Sequence, residues 1–173
     1  MYSQIEVDAL KRPNRVDDWT TIFKSPTLFL AFGFGSGLSP IMPGTAGTLV
    51  ALPLYLLMAS WHWSLYLLML VLTSVLGFYL CGRAASKLNV HDHSGIVWDE
   101  FVGFWITMFL VPAHWYWVVL GFVLFRFFDI VKPWPISWVD RKVHGGVGIM
   151  LDDILAGLAA AGCLHIVVIL TNL

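Results

Sequence analysis

SLYLLMLVLTSVLGFYLCG, residues 64–82, is uncharged and apolar along almost its whole length. A transmembrane α-helix needs about 20 such residues, so this segment predicts a membrane-crossing helix. Four further apolar spans lie at residues 48–60, 101–111, 115–125 and 154–170. The sequence therefore predicts an all-α polytopic integral membrane protein of about five helices.

The spans differ in how closely their length and composition match a membrane crossing. The span at 48–60 is short, and Pro53 is expected to interrupt it. The third and fourth spans reach bilayer length only if their helices extend through residues 97–100 and 126–129. That extension would place carboxylates inside helix ends near the membrane surface.

The composition of the 173 residues supports this class. Hydrophobic residues make up 58% and charged residues 12%, against about 45–50% and about 25% in ordinary soluble domains. These values argue against a soluble monomer and against a disordered chain. The net charge of −1 provides no basic field for a nucleic acid, so we expect no nucleic-acid partner.

The positions of the basic residues predict the topology. Lysines and arginines occur before the first span, between spans two and three, and between spans four and five. Because cytoplasmic loops carry the Lys and Arg excess, we expect the N-terminus inside and the C-terminus outside. Residues 1–24 then form a cytoplasmic tail, and residues 25–173 form a membrane-embedded domain.

A glycine-rich stretch, GFGSGLSPIMPGTAGT, occupies residues 33–48 and predicts a broken, irregular segment. Free backbone amides in such a segment can bind an anion, especially where a helix starts near Thr48. Hydroxyl side chains would add donors for a substrate. The candidates are Ser36, Ser39, Thr45 and Thr48.

Acidic residues enter three different apolar spans. Carboxylates inside membrane helices are costly and therefore indicate function. Neighbouring helical residues point about 100° apart, so Asp99 and Glu100 are expected to have different roles. The acids expected to bind a metal are Asp99, Glu100, Asp129, Asp152 and Asp153.

The predicted topology brings these acids to the cytoplasmic ends of their helices. Carboxylates at one depth repel each other unless a cation joins them, and hard oxygen ligands suit Mg²⁺. Arg126 and Lys132 supply positive charge for a phosphate. The pattern indicates metal-assisted phosphoryl chemistry on a lipid headgroup, in which Glu100, Asp129 and Asp153 are the candidate catalytic residues.

Four motifs, at residues 33–48, 97–105, 126–136 and 145–157, together resemble phosphatidylglycerophosphatase A. The resemblance covers residues 26–162. It implies a bacterial inner-membrane, Mg²⁺-dependent phosphatase that converts phosphatidylglycerophosphate to phosphatidylglycerol and inorganic phosphate. No obligate protein partner is implied.

Two alternatives stay open at this point. Water is the favoured nucleophile, because no Cys-x5-Arg, Asp-x-Asp or Pro-Ser-Gly-His motif occurs, and an aspartyl-phosphate intermediate is the alternative. In a different functional class, an ion or solute carrier would also place acids in membrane helices beside a broken segment.

Overall fold

The computed structural model describes residues 19–90 and 93–171, and the regular elements within these residues are all helical. This confirms the all-α prediction. The elements are α1 (Trp19–Lys24), α2 (Pro26–Ala31), a 3₁₀ segment (Gly33–Leu38), α3 (Pro43–Met58), α4 (Trp63–Leu88), α5 (Trp98–Thr107), α6 (Trp115–Val131), α7 (Ile136–Lys142) and α8 (Gly145–Thr171).

Two of these helices are long and apolar enough to cross a membrane: α4 with 26 residues and α8 with 27. The other apolar helices are shorter, with 16 residues in α3, 10 in α5 and 17 in α6. The two long helices match two of the predicted spans. The count of about five crossings stays a prediction.

The broken segment is irregular only in its first part. Positive φ angles at Gly33 (54°), Phe34 (59°) and Gly35 (97°) turn the chain after α2, in the left-handed region that glycine favours. Regular helix resumes at Pro43, five residues earlier than expected, because proline fits the first turn of a helix.

The expectation that Pro53 interrupts the first span is wrong, because α3 continues through Pro53 to Met58. A proline inside a helix removes one backbone hydrogen bond. Ala51 and Tyr55 flank Pro53 and are fully or almost fully buried in the core. Their packing offsets the lost hydrogen bond and keeps the helix continuous.

Helices α5 and α6 extend to the acidic residues, as their short spans required. α5 begins at Trp98, so Asp99 and Glu100 lie in its first turn. α6 runs to Val131 and contains both Arg126 and Asp129. The charged groups therefore lie on regular, well-positioned helix ends.

Helix α5 is the centre of the bundle and contacts α3, α4, α6 and α8. Phe101, Val102 and Phe104 are completely buried in it. The indole of Trp105 donates a 3.0 Å hydrogen bond to the carbonyl of Ala51 on α3. The indole of Trp98 donates similarly to the carbonyl of Thr73 on α4. These bonds fix the rotation of α5 and hence the direction of its acids.

The predicted cytoplasmic tail falls mostly outside the described residues, which begin at Trp19. Residues 19–24 of that tail form α1, and Ile22 is completely buried. The last part of the tail therefore packs onto the helical domain.

Candidate functional site

Three carboxylates from two helices form a buried acidic cluster. Asp99 and Glu100 come from the first turn of α5, and Asp153 comes from α8. One oxygen of each lies within 4.8 Å of the others. Although Asp99 and Glu100 are adjacent in sequence, the structure brings both carboxylates into this one cluster.

Close helix packing makes the cluster possible. α5 crosses α8 at Gly103 and Gly157, where a Cβ on Gly157 would lie only 2.5 Å from the carbonyl oxygen of Gly103. Small residues allow such close approach between membrane helices. Gly157 therefore permits the close approach of α8 to α5. The crossing places Asp153 of α8 opposite the first turn of α5.

The cluster offers oxygen atoms without hydrogen-bond donors. Within the described part of the chain, Asp99 Oδ1, Glu100 Oε2 and Asp153 Oδ2 are buried and accept no hydrogen bond. Burying a charged group without a partner is costly. A divalent cation that prefers oxygen ligands would satisfy all three. This buried acidic group could therefore bind a metal ion.

Asp129 lies beside the cluster and is paired with an arginine. Arg126 Nη1 is 2.7 Å from Asp129 Oδ2, one helical turn away on α6, and 3.9 Å from Glu100 Oε1. Asp129 is close enough to Glu100 and Asp153 for their charges to repel. Arg126 thus lies between Asp129 and the cluster and balances part of its negative charge.

Asp152 forms an ion pair with Lys132 and not with Arg126. Lys132 Nζ lies 2.5 Å from Asp152 Oδ2 and 2.5 Å from Asp140 Oδ1. Burial lowers the pKa of Lys132, but hydrogen bonds and attraction to the two carboxylates outweigh it and raise the pKa above its ordinary value. Lys132 therefore stays charged at neutral pH and joins α6, α7 and α8.

The start of α3 closes another side of the site. A Cβ on Gly44 would collide with the carboxylate of Glu100 and would lie 3.0 Å from the guanidinium of Arg126. The first amides of a helix have no acceptor within the helix. The hydroxyl of Thr45 is buried there without a hydrogen-bond partner. Unpaired donors and Arg126 therefore meet beside the acidic cluster.

The structure places the four candidate hydroxyl residues differently. Ser36 donates to the carbonyl of Gly33, and exposed Ser39 donates to the carbonyl of Ile41. Thr48 is fully buried and donates to the carbonyl of Gly44 within α3. Of the four, only Thr45 has a buried hydroxyl without a partner at the start of α3.

Sequence reasoning missed two residues of this region, Asp140 and Gly44. Asp140 reaches Lys132 because α7 follows directly after Pro133 and Pro135, and no sequence spacing marks such a contact. Gly44 follows Pro43 at the start of α3. The Pro-Gly-Thr order there is a helix-start signal, and it could have indicated the earlier helix and its close neighbour.

Comparison with known proteins adds independent information. Residues 29–168 match the family model described as Phosphatidylglycerophosphatase A. The Phosphatidylglycerophosphatase A of Escherichia coli (strain K12) is 54% identical over 144 residues, which are 83% of this chain and 84% of the relative. The protein of the same name from Haemophilus influenzae is 45% identical, over 79% of this chain and 85% of the relative.

A third relative has a different name. A protein of Bacteroides thetaiotaomicron, provisionally named a phosphatidylinositol-3-phosphatase, is 42% identical over 76% of this chain and 86% of its own length. No solved structure significantly matches the chain. The family model and both relatives of that name cover most of this sequence, and the chain belongs to the phosphatidylglycerophosphatase A family.

Proposed function

We propose that this protein hydrolyses the terminal phosphate monoester of phosphatidylglycerophosphate and releases phosphatidylglycerol and inorganic phosphate. Membership of the phosphatidylglycerophosphatase A family supports the substrate. The observation that carries the proposal is the acidic cluster of Asp99, Glu100 and Asp153 beside Arg126 and the start of α3. It combines ligands for a cation with donors for a phosphate.

Asp99, Glu100 and Asp153 are the proposed Mg²⁺ ligands, with Asp129 and Asp152 as the next acids outward. When bound, Mg²⁺ would offset the negative charge of the phosphate and draw electrons from phosphorus. Carboxylate oxygens without hydrogen-bond donors support this assignment. Mg²⁺ also retains waters and accepts phosphate oxygens as ligands, which suits a site that must admit a substrate.

The positive groups are proposed to hold the phosphate. Arg126 presents a planar fork of donors that matches phosphate oxygens. The first amides of α3 and the hydroxyl of Thr45 would donate from the neighbouring side. Lys132 would attract the headgroup from the edge of the site. Because their hydroxyls are bonded to backbone, Ser36 and Ser39 would act through the shape of the segment before α3, and Thr48 would act through the packing of α3 itself.

The reaction needs a base near the attacking group. Glu100, Asp129 and Asp153 are the carboxylates near Arg126, and we propose that one of them takes the proton of the attacking water. Direct attack by Asp129 on phosphorus is the alternative, and it would leave a phosphorylated enzyme. Covalent ³²P on acid-quenched protein during turnover, released by hydroxylamine, would indicate the aspartyl-phosphate route, whereas attack by water should leave no ³²P on the protein.

We further propose that the protein is multi-pass in the bacterial inner membrane, with the site at the cytoplasmic face. The apolar helices α4 and α8 support membrane insertion. Leu68, Val71, Leu72 and Val75 on α4 are about half exposed, as expected for a surface that faces lipid. Basic Arg83 and Lys87 at the other end of α4 support a cytoplasmic location for that end.

Phosphate release by the purified protein tests the function. The substrates are phosphatidylglycerophosphate, phosphatidic acid and phosphatidylinositol-3-phosphate in mixed micelles, each with Mg²⁺ and with a chelator. We expect release mainly from phosphatidylglycerophosphate and only with Mg²⁺. An Asp153→Asn variant purified identically controls for contaminating phosphatases. Ion or solute transport into vesicles without phosphate release would favour a carrier and contradict the proposal.

A further inference from the structure

An apolar cavity, separate from the acidic cluster, lies between α4, α5 and α8. Its volume is about 480 Å³, and its walls include Leu70 and Ser74 of α4, Ile106 of α5, Phe109 just after α5, and Ala161 and His165 of α8. Ligand cavities commonly measure about 300–1,000 Å³. The cavity is open along one side, and we call it the α4–α8 groove.

The groove follows from the way α4 and α8 cross. A Cβ on Gly146 of α8 would collide with the backbone of Gly82 on α4, so the helices touch at this point. About one turn further along α8, Met150 contacts Gly77 of α4 and fills the space between the two helices. Still further from the Gly82–Gly146 contact, the groove opens at Ser74 and Ala161. The small residues thus close one end of the interface and leave the other end open.

The walls of the groove suit a hydrocarbon ligand. Its two polar side chains are bonded within their own helices: Ser74 donates to the carbonyl of Leu70, and His165 Nδ1 is hydrogen-bonded to the carbonyl of Ala161. The remaining wall is aliphatic or aromatic. A headgroup or a polar metabolite would gain few hydrogen bonds in this place, whereas an alkyl chain would lose none.

The same three helices also carry or border the acidic cluster. Ile106 follows Glu100 by six residues on α5, and Ala161 follows Asp153 by eight on α8. At about 1.5 Å per residue, these offsets are about 9 and 12 Å. On α4, Ser74 precedes Cys81, which lies near Asp99, by seven residues or about 10 Å. The groove therefore lies at one depth on all three helices.

That depth matches the position of a lipid tail. The hydrocarbon core of a bilayer is about 30 Å thick, so one leaflet contributes about 15 Å. A lipid whose phosphate reaches the acidic cluster has its acyl chains roughly 10 Å further into the bilayer. We propose that the α4–α8 groove binds one acyl chain of the phospholipid substrate. This proposal rests on the proposed function, because it requires a lipid phosphomonoester at the acidic cluster.

Photolabelling of the wild-type protein tests the proposal directly. The probe is phosphatidylglycerophosphate with a diazirine in the middle of one acyl chain, incorporated into nanodiscs with the protein. We expect mass spectrometry to find the label concentrated on the wall residues of α4, α5 and α8. Unlabelled phosphatidylglycerophosphate should compete, whereas phosphatidylcholine should not. Label spread evenly over all lipid-facing helices would overturn the proposal.

A filling substitution gives a second test. Ala161→Trp would occupy the groove, whereas Ile166→Trp places the same side chain on the same helix at a residue that is 60% exposed and outside the groove. We expect Ala161→Trp to abolish groove labelling. It should raise the KM for phosphatidylglycerophosphate, in surface mole fraction, by roughly three- to tenfold with kcat nearly unchanged. The factor is modest because lipid tails are as apolar as the groove and only packing is lost.

Other outcomes separate this proposal from its alternatives. Equal KM values for the two tryptophan variants would overturn it. Dissociation of a wild-type oligomer by Ala161→Trp, with labelling unchanged, would show that the groove is a contact between copies of this chain and would also overturn it. Photolabelling requires no turnover. Absence of phosphate release by the wild-type protein would therefore contradict the proposed function without hiding the groove result.

Discussion

Asp152 and Asp153 are consecutive on α8, yet their carboxylates have different partners. Asp152 pairs with Lys132, whereas Asp153 joins Asp99 and Glu100 in the acidic cluster. Adjacent positions on a helix point about 100° apart, and α8 uses this divergence to serve two sites at once. The acidic cluster groups three carboxyl groups, and the ion pairs of Lys132 with Asp140 and Asp152 connect α6, α7 and α8.

The two neighbours should therefore respond differently to the same substitution. Asp153→Asn removes a proposed cation ligand, and we expect kcat to fall by more than about 100-fold, beyond the range for groups that only support ligands. Asp152→Asn leaves Lys132 paired with Asp140, and a loss of about 10-fold is expected. Phosphate release by both variants measures the contrast. Equal losses would show that Asp153 has no special role.

Mg²⁺ should stabilise the folded protein. A ligand at 100 times its Kd adds about 2.7 kcal/mol to the free energy of unfolding, because it binds the folded chain and relieves repulsion among the buried acids. Thermal melting in detergent, with increasing MgCl₂, measures the effect. The rise should be absent in Glu100→Gln and retained in the Ile166→Trp control. A melting temperature that is insensitive to Mg²⁺ in the wild-type protein would contradict the metal site.

Gly44→Ala should damage the site without unfolding the protein. The added Cβ would meet the Glu100 carboxylate and the Arg126 guanidinium, so both must move from the start of α3. Gly162→Ala is the matched control, because its added Cβ would meet no side chain and no other helix within 4 Å. The control should be as stable as the wild type or up to about 1 kcal/mol more stable. Activity assays should show a large loss in Gly44→Ala alone.

Asp129→Asn should reduce both activity and stability. The side chains of the Arg126–Asp129 ion pair are each only 14% exposed, and removing one partner of a buried ion pair costs about 3–5 kcal/mol. A loss of that order in the free energy of unfolding is expected, with kcat lowered by orders of magnitude. Denaturation and phosphate release are measured on the same sample. Near-normal turnover at limiting Mg²⁺ would exclude Asp129 from the reaction.

The topology has its own test. Lys87 is at the C-terminal end of α4, and Trp61 precedes its N-terminal end. In a background without native cysteines, Lys87→Cys should resist an impermeant maleimide on intact cells, whereas Trp61→Cys should react. Permeabilised cells provide the labelling control for both. Labelling of position 87 from outside would reverse the proposed orientation.

Charge and hydropathy predicted much of this molecule for clear physical reasons. Acids in apolar spans are costly, so Asp99 and Asp153 were visible as site candidates from their surroundings alone. The continuity of α3 was mispredicted, because the packing of Ala51 and Tyr55 outweighs the local effect of Pro53. Tertiary packing of this kind cannot be predicted from the helix propensity of a short segment.

The hydrogen-bond and ion-pair partners of individual side chains also could not be predicted from the sequence. Hydroxyl residues in a glycine-rich stretch look equally available, but Ser36 and Thr48 are bonded to nearby carbonyls once the backbone is folded. The contact of Asp140 with Lys132 depends on the turn between α6 and α7. Such contacts are set by the path of the chain in three dimensions, and residue type alone does not reveal them.

The excess of carboxylates over cations around Arg126 and Lys132 has a kinetic consequence. A phosphomonoester is itself an anion, and it would approach a site in which buried carboxyl groups outnumber the basic side chains. Coulomb repulsion is strong at low effective dielectric. On the proposed metal-assisted mechanism we therefore expect ordered addition, in which the cation binds first and the lipid phosphate enters the charge-balanced site afterwards.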